Sequence, residues 1–206
     1  MTNRRRLASW GRRIVGRRPP APFNLDDAAS PSWDERAEVA TDLIVENAAQ
    51  LGWDQSATVT VGDFGAGDER LNRVLQARSA QPYRYTGFDL HPQSESVVEL
   101  DVTRELPAED FDIVFCLGLL EYVEPLEPFL ARLRARYPAL VVSYALFDVP
   151  QPMTRGERRK RGWLTDYTKE DLERRFENLG FVLLDGRLTN RQRTALWLLT
   201  RPAEDD

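Results

Sequence analysis

From residue 57 onward the chain repeats one pattern: a short apolar run, a turn, then a segment of helical period. ATVTV (57–61), YRYTGF (83–88), SVVEL (96–100), FDIVFCLGLL (111–120) and ALVVSYALF (139–147) read as strands. Residues 68–79, 125–137 and 168–180 read as helices. Leu71, Val74 and Leu75 share a face of the first. Pro125 opens the second, where its missing N–H costs nothing. Thr168 and Asp171 open the third, and Gly180 stops it. Alternation of this kind implies a mostly parallel sheet with helices on both faces. FVLLDGRLT and TALWLLT, joined through the polar turn Thr189–Arg193, add two closing strands and an antiparallel edge, for seven strands in an α/β fold.

One stretch of this pattern carries chemistry. In VGDFGAGDERL (61–71) an apolar strand enters a glycine turn and then a helix. Gly65 and Gly67 let backbone approach a ligand closely. Acids follow the first three strands: Asp63, Asp89 (22 residues after Gly67) and Asp101. Ligands of open parallel sheets bind at those carboxyl ends. A dinucleotide fingerprint would need glycine at position 70, where Arg70 stands. A pyrophosphate on the helix start would also face Asp68 and Glu69, and like charges oppose it. A phosphate-free nucleoside with a cationic end meets no such conflict. S-adenosylmethionine, with its ribose diol, adenine amine, ammonium and sulfonium, is such a nucleoside.

These residues resemble the class I S-adenosylmethionine-dependent methyltransferases. DFGAG (63–67) is similar to that family's first motif, FDL (88–90) to the acidic end of its second strand, and LDVTRELP (100–107) to its third motif. FDIVFCLGLLEYV (111–123) is similar to its fourth strand and the loop beyond, and NLGFVLL (178–184) to the entry into its sixth strand. The resemblance covers residues 56–147 well and 165–202 more loosely. It implies a Rossmann-like, seven-stranded, mostly parallel sheet. By resemblance, Gly65, Ala66 and Gly67 face the methionine part of the cofactor and Asp63 positions its ammonium. Asp89, with Leu90 beside it, takes the ribose hydroxyls, and Asp101 with Val102 receives the adenine amine. Cys116 and Leu117 floor the site. The family often carries a third glycine where this chain has Glu69.

Acceptor residues are expected on the loops after the fourth and fifth strands. Glu121 and Tyr122 are the catalytic candidates; many relatives have Glu-His here, so a His base is missing. Tyr144 ends the fifth strand. Residues 148–167 form a long basic loop insertion, with RGERRKR at 155–161. Arg158, Arg161, Trp163 and Tyr167 are expected to bind substrate there, with an anionic sugar, nucleotide-linked glycan or RNA as the kind of acceptor such a loop suits. The opposing reading is a solvated basic turn with Trp163 packed on the core.

Residues 1–31 read as a basic arm, with seven arginines between Arg4 and Arg18, and residues 32–206 as a single domain. SPSWDERAEVATDLIVENAAQLGW opens that domain as a helix, with Ser32 and Glu35 as a capping box and Trp33, Ala37, Ala40 and Ile44 at helical spacing. Leu7, Trp10 and Ile14 would share one face of a helical arm, a pattern suited to a membrane surface or to nucleic acid. The formal net charge of −5 argues against the whole chain as a nucleic-acid binder. One cysteine and one histidine (His91) argue against a disulfide framework or a protein-bound metal site. No run reaches the length of a transmembrane segment and no apolar leader follows the basic N-terminus, so a cytoplasmic location is expected. The expected activity is methyl transfer to a small-molecule or saccharide-type acceptor. The alternatives are an RNA or protein methyltransferase recruited by the arm, and a non-catalytic cofactor-binding interaction module.

Overall fold

The computed structural model describes residues 31–54, 56–150, 152–189 and 193–202. The arm, with its expected helix and partners, therefore lies outside the described residues. Helix α1 (Pro31–Glu46) comes first, followed by β1 (Val59–Phe64), α2 (Arg70–Arg78), β2 (Tyr83–Asp89), β3 (Val98–Glu99) and β4 (Ile113–Cys116). A 3₁₀ turn (Leu120–Tyr122) leads to α3 (Leu126–Arg136) and β5 (Ala139–Ala145). Then come α4 (Arg155–Lys160), α5 (Lys169–Asn178), β6 (Val182–Leu188) and β7 (Thr194–Thr200). The seven strands form one sheet in the order β3-β2-β1-β4-β5-β7-β6. The first five are parallel, and β7 pairs antiparallel with both β5 and β6. This is the Rossmann-like architecture expected, with two adjustments. Helix α1 starts at Pro31, so Ser32 lies inside it rather than capping it. The basic loop is not all loop: Thr154 and Glu157 build a capping box that starts the six-residue α4.

Apolar patterning explains the layers. Strands β4 and β5 are buried along their whole length and read as apolar runs, broken in β5 by Ser143, as suits strands covered on both faces. On one face α1 and α2 cover the sheet, with Leu43, Ile44, Leu71 and Leu75 against Val61, Phe115 and Leu198. On the other, α3 and α5 pack Leu130, Leu133, Leu172 and Phe176 against Val114, Val142 and Trp197. Phe64, Phe88, Phe111 and Tyr137 meet edge to face or tilted on this side, with centroids 5.6–6.4 Å apart. Close approach of Phe111 requires Gly62, where a Cβ would lie 2.7 Å from the ring.

The carboxyl ends of the parallel strands are drawn together by backbone bonds. The Gly65 and Ala66 amides both donate to the Phe88 carbonyl, at 2.8 and 3.0 Å. The Leu100 amide donates to the Asp89 carbonyl at 2.9 Å. The glycine turn, the end of β2 and the segment after β3 therefore form one rim.

Candidate cofactor and acceptor site

A cavity of about 520 Å³ opens on that rim, within the roughly 300–1,000 Å³ range of small-molecule sites. Asp63, Gly65, Ala66 and Gly67 line it from β1, Asp89 and Leu90 from β2, Asp101 and Val102 from the segment after β3, and Leu117 from the end of β4. The structure thus brings nine of the expected cofactor residues to one space. Cys116 is not among them. It is fully buried one residue behind Leu117, and burial pushes its thiol far up, so it is a core residue.

Each acid is held differently. Asp89 accepts the Gly67 amide on Oδ2 at 2.9 Å and the His91 amide on Oδ1 at 2.8 Å. Both oxygens keep a lone pair for a further donor. Asp101 accepts the Thr103 amide and hydroxyl on Oδ1, at 3.1 and 2.6 Å. Asp63 is 97 % buried by exposure (3 % exposed) and accepts the Tyr85 hydroxyl at 2.7 Å. Burial, opposed by that hydrogen bond and reinforced by the charges of Asp89, Glu69 and Asp68, raises its carboxyl to about 7. A cation in the cavity would restore its charge.

The two acids at the start of α2 turn out to be occupied. Asp68 is engaged by Arg70 at 3.0 Å and Arg73 at 2.9 Å. Glu69 bonds Ser96. Glu69 also has φ +58°, the left-handed region that favours glycine. The position where relatives often have glycine thus keeps a glycine-like backbone although its side chain differs.

On the acceptor side the expected residues separate. Tyr122 lines the cavity and also a second one of about 310 Å³ bounded by Thr103, Val123, Pro125 and Arg132. Burial raises its hydroxyl to about 12, so it is protonated at neutral pH. Glu121 faces inward instead: it is 1 % exposed, and its Oε1 accepts the Ala145 amide at 2.7 Å. Tyr144 is fully buried, and its hydroxyl meets Thr165, Arg158 Nη2 and the Tyr167 amide. Arg158 is 1 % exposed, with its donors on the Thr165 and Ala145 carbonyls, Tyr144 and Asp166. Neither residue lines the cavity, although a substrate-binding role was expected of both. Arg161, Trp163 and Tyr167 do not line it either. Trp163 stacks on Arg158 (4.7 Å) and Arg161 (5.8 Å), and Tyr167 on Arg175 (4.4 Å).

The reason is a local ion network. Arg155, Arg158 and Arg159 all converge on Asp166, at 3.4, 2.9 and 2.7 Å. The basic cluster is answered by an acid of its own segment, so much of its charge serves the fold. The segment clamps the loop after β4, where the Leu164 amide donates to the Glu121 carbonyl at 2.7 Å.

Helix α1 supplies wall residues for which the sequence showed no site role. Trp33, Arg36 and Ala37 all line the cavity, together with Gly118 and Leu119. Their i, i+3, i+4 spacing put them on one face. Nothing in the spacing distinguishes a face against a sheet from a face against a cavity.

A glycine turn bound to the next strand, with a carboxylate after each of three strands, defines a Rossmann-like domain built for a nucleoside without phosphates. Residues 32–185 match the family described as methyltransferase domain. The chain belongs to that family, within the class I enzymes that use S-adenosylmethionine. No curated protein matches the chain. Among solved structures it is similar to the 1,6-didemethyltoxoflavin-N1-methyltransferase of Burkholderia thailandensis with bound 1,6-didemethyltoxoflavin and S-adenosylhomocysteine. The identity there is 21 %, over 85 % of this chain and 83 % of that one, with a TM-score of 0.59. It is also similar to the magnesium protoporphyrin IX methyltransferase of Synechocystis PCC 6803 with bound S-adenosylmethionine (15 % identity, 86 % and 94 % covered, TM-score 0.56). The [4+2]-cyclase SpnF shares the fold as well (16 % identity, 81 % and 82 % covered, TM-score 0.59).

The cavity suits the cofactor. Its carboxylates accept from hydroxyl and amine groups, and the buried Asp63 gains from an ammonium. The Gly65 and Gly67 backbones adopt φ +85° and +53°, the region that favours glycine, and leave Ala66 as the one side chain between them.

Proposed function

We propose that the protein methylates a small-molecule or saccharide-type acceptor, with Asp63, Asp89 and Asp101 holding the cofactor. The observation that carries this is the convergence of three strand-end carboxylates on one cavity that Trp33, Arg36 and Tyr122 also line. When bound, the cofactor supplies a methyl group already activated on a sulfonium. The protein's work is then to orient and to exclude water. Asp89 has free lone pairs for a diol, the Asp101 turn presents an acceptor beside the Val102 backbone, and Ala66, Val102 and Leu117 are apolar. Tyr122, protonated at neutral pH, serves as a hydrogen-bond donor to the acceptor rather than as a base. Two related structures are named as methyltransferases of a toxoflavin precursor and of a magnesium porphyrin, which supports a small acceptor. The fold alone does not select the reaction, as the cyclase shows.

Calorimetric titration with S-adenosylmethionine, S-adenosylhomocysteine and NADH tests the cofactor half. Micromolar binding of the first two and none of the third is expected. Transfer of labelled methyl to a small-molecule fraction tests the acceptor half. Labelling of RNA or protein would replace that reading with the recruited one. Cofactor binding without transfer to any acceptor class would favour an interaction module.

A further inference from the structure

We propose that the second cavity, between α3 and the segments after β3 and β4, is a separate site for a small aromatic carboxylate whose occupancy is felt by the first. At about 310 Å³ it stands at the lower bound of small-molecule sites. One face of α3 makes its floor: Pro125 at the N-cap, then Pro128, Phe129 and Arg132 at i+3, i+4 and i+7. Val123 adds a further apolar wall. Two prolines, a phenylalanine and a valine suit a flat apolar ring.

Arg132 supplies the charge. Its guanidinium lies 5.8 Å from the Phe129 ring centroid. Nη1 donates to the Arg104 carbonyl at 2.9 Å, and Nη2 donates to the Thr103 carbonyl. The nearby arginines have acids of their own: Arg104 pairs with Asp101 at 3.9 Å and Arg136 with Asp110 at 3.3 Å. Arg132 has no carboxylate partner among the described residues, only the two carbonyls. Carbonyls occupy donors without cancelling charge, and the guanidinium keeps N–H groups for another acceptor. A carboxylate is the group that matches them. Glu124 also lines the cavity but makes no ion pair with Arg132, and the two backbones stand roughly 12 Å apart along the helix axis. The site is therefore polarised, with a cation at one end, an anion at the other and apolar walls between. A ring bearing one carboxylate fits it in one orientation.

The link to the first cavity is short. Thr103 and Tyr122 line both. The carbonyls that Arg132 holds belong to the turn that closes on Asp101. The Thr103 amide and hydroxyl bond Asp101 Oδ1, and the Arg104 amide donates to the Asp101 carbonyl at 2.9 Å. A carboxylate on Arg132 competes for the donors that fix this turn. Ligand and cofactor must then alter each other's affinity by the same factor. That coupling rests on the cofactor reading given above; the site itself does not.

Calorimetry with 2-naphthoate and its uncharged isostere 2-naphthamide tests the site on the full chain, with and without saturating S-adenosylhomocysteine. Wild type should bind naphthoate at least tenfold more tightly than naphthamide. Arg132→Gln should lose that margin and keep naphthamide within twofold. Pro128→Trp, which fills the floor from an exposed position, should weaken both. Thermal unfolding is measured on each variant; if Arg132→Gln does not fold, the naphthamide comparison and Pro128→Trp decide. Saturating S-adenosylhomocysteine should change naphthoate affinity by twofold or more with both molecules bound. Equal binding of the two probes, binding of neither, or naphthoate binding indifferent to both substitutions overturns the proposal. Strict competition with S-adenosylhomocysteine also overturns it, because naphthoate would then occupy the first cavity. Unchanged naphthoate affinity in the loaded protein overturns the coupling. A wild-type protein that binds naphthoate but no S-adenosylhomocysteine refutes the cofactor reading and supports the second site.

Discussion

The Asp89 carboxylate accepts the Gly67 amide at 2.9 Å, so the acid that ends β2 holds the turn that follows β1. The group proposed to bind the cofactor is therefore also a brace for the loop beside it. Asp89→Ala should weaken S-adenosylmethionine binding by about 1–3 kcal/mol, the loss of charge-assisted hydrogen bonds. Calorimetry on a folded variant measures this, and unchanged affinity would remove Asp89 from the site.

Asp63 gives the site a pH dependence. Its folded-state carboxyl lies at about 7, against an ordinary 3.8. Between those values the folded chain holds a proton that the unfolded chain has released, so this group's contribution to stability falls as pH rises through the window. A bound ammonium favours the ionised form, so cofactor binding expels that proton. S-adenosylhomocysteine affinity should rise roughly fivefold between pH 6 and pH 7. Asp63→Asn should flatten the profile. Titration in two buffers of different ionisation heat detects the proton directly.

Gly87 pairs with Asp63 across β1 and β2, and a Cβ there would sit 2.8 Å from the Ala66 Cβ. Gly87→Ala should cost about 1–3 kcal/mol of stability by overpacking. Because Ala66 belongs to the glycine turn, cofactor affinity should fall with it. Denaturant unfolding and calorimetry on the same sample would separate a stability loss from a binding loss; a variant with neither would show that the turn yields freely.

Asp166 gathers three arginines, of which Arg158 is buried. Asp166→Ala leaves that guanidinium without its counter-charge and should destabilise the fold by about 3–5 kcal/mol. The loss should persist in salt, since the pair is screened little. Urea midpoints at low and high ionic strength are the measurement. A negligible loss would mean that the carbonyls around Arg158 suffice.

The cavity wall made by the carboxyl ends of β1 and β2 and the segment after β3 was legible because its demands are local. A turn that needs positive φ writes itself as Gly65 and Gly67, and an acid needed at a strand end writes itself beside an apolar run. The acceptor half is made by segments that meet only in three dimensions. Arg158 looked like a ligand residue because its partner Asp166 lies beyond a turn, and charge in a sequence does not reveal what neutralises it. Arg36 carried no signal of its own, since an arginine in a helix does not announce that it is buried. Its burial depends on Gly118, 82 residues away, lacking a side chain. The short α4 was hidden because its six residues carry hardly any apolar period, leaving its capping box as the only sign.

Helix α1 is moored at its far end to β6: Glu46 pairs with Arg187 at 2.7 Å, and Asn47 donates to Asp185 at 3.2 Å. It also packs across β7, so the element that carries Trp33 and Arg36 into the cavity leans on strands made some 140 residues later. During synthesis the glycine turn and its acids emerge well before the strands on which α1 leans. A nascent chain that stops before β6 would own most of a cofactor cradle and only half a room to put it in. If elements dock as they emerge, completion of the cavity would be a vectorial event that waits on β6 and β7.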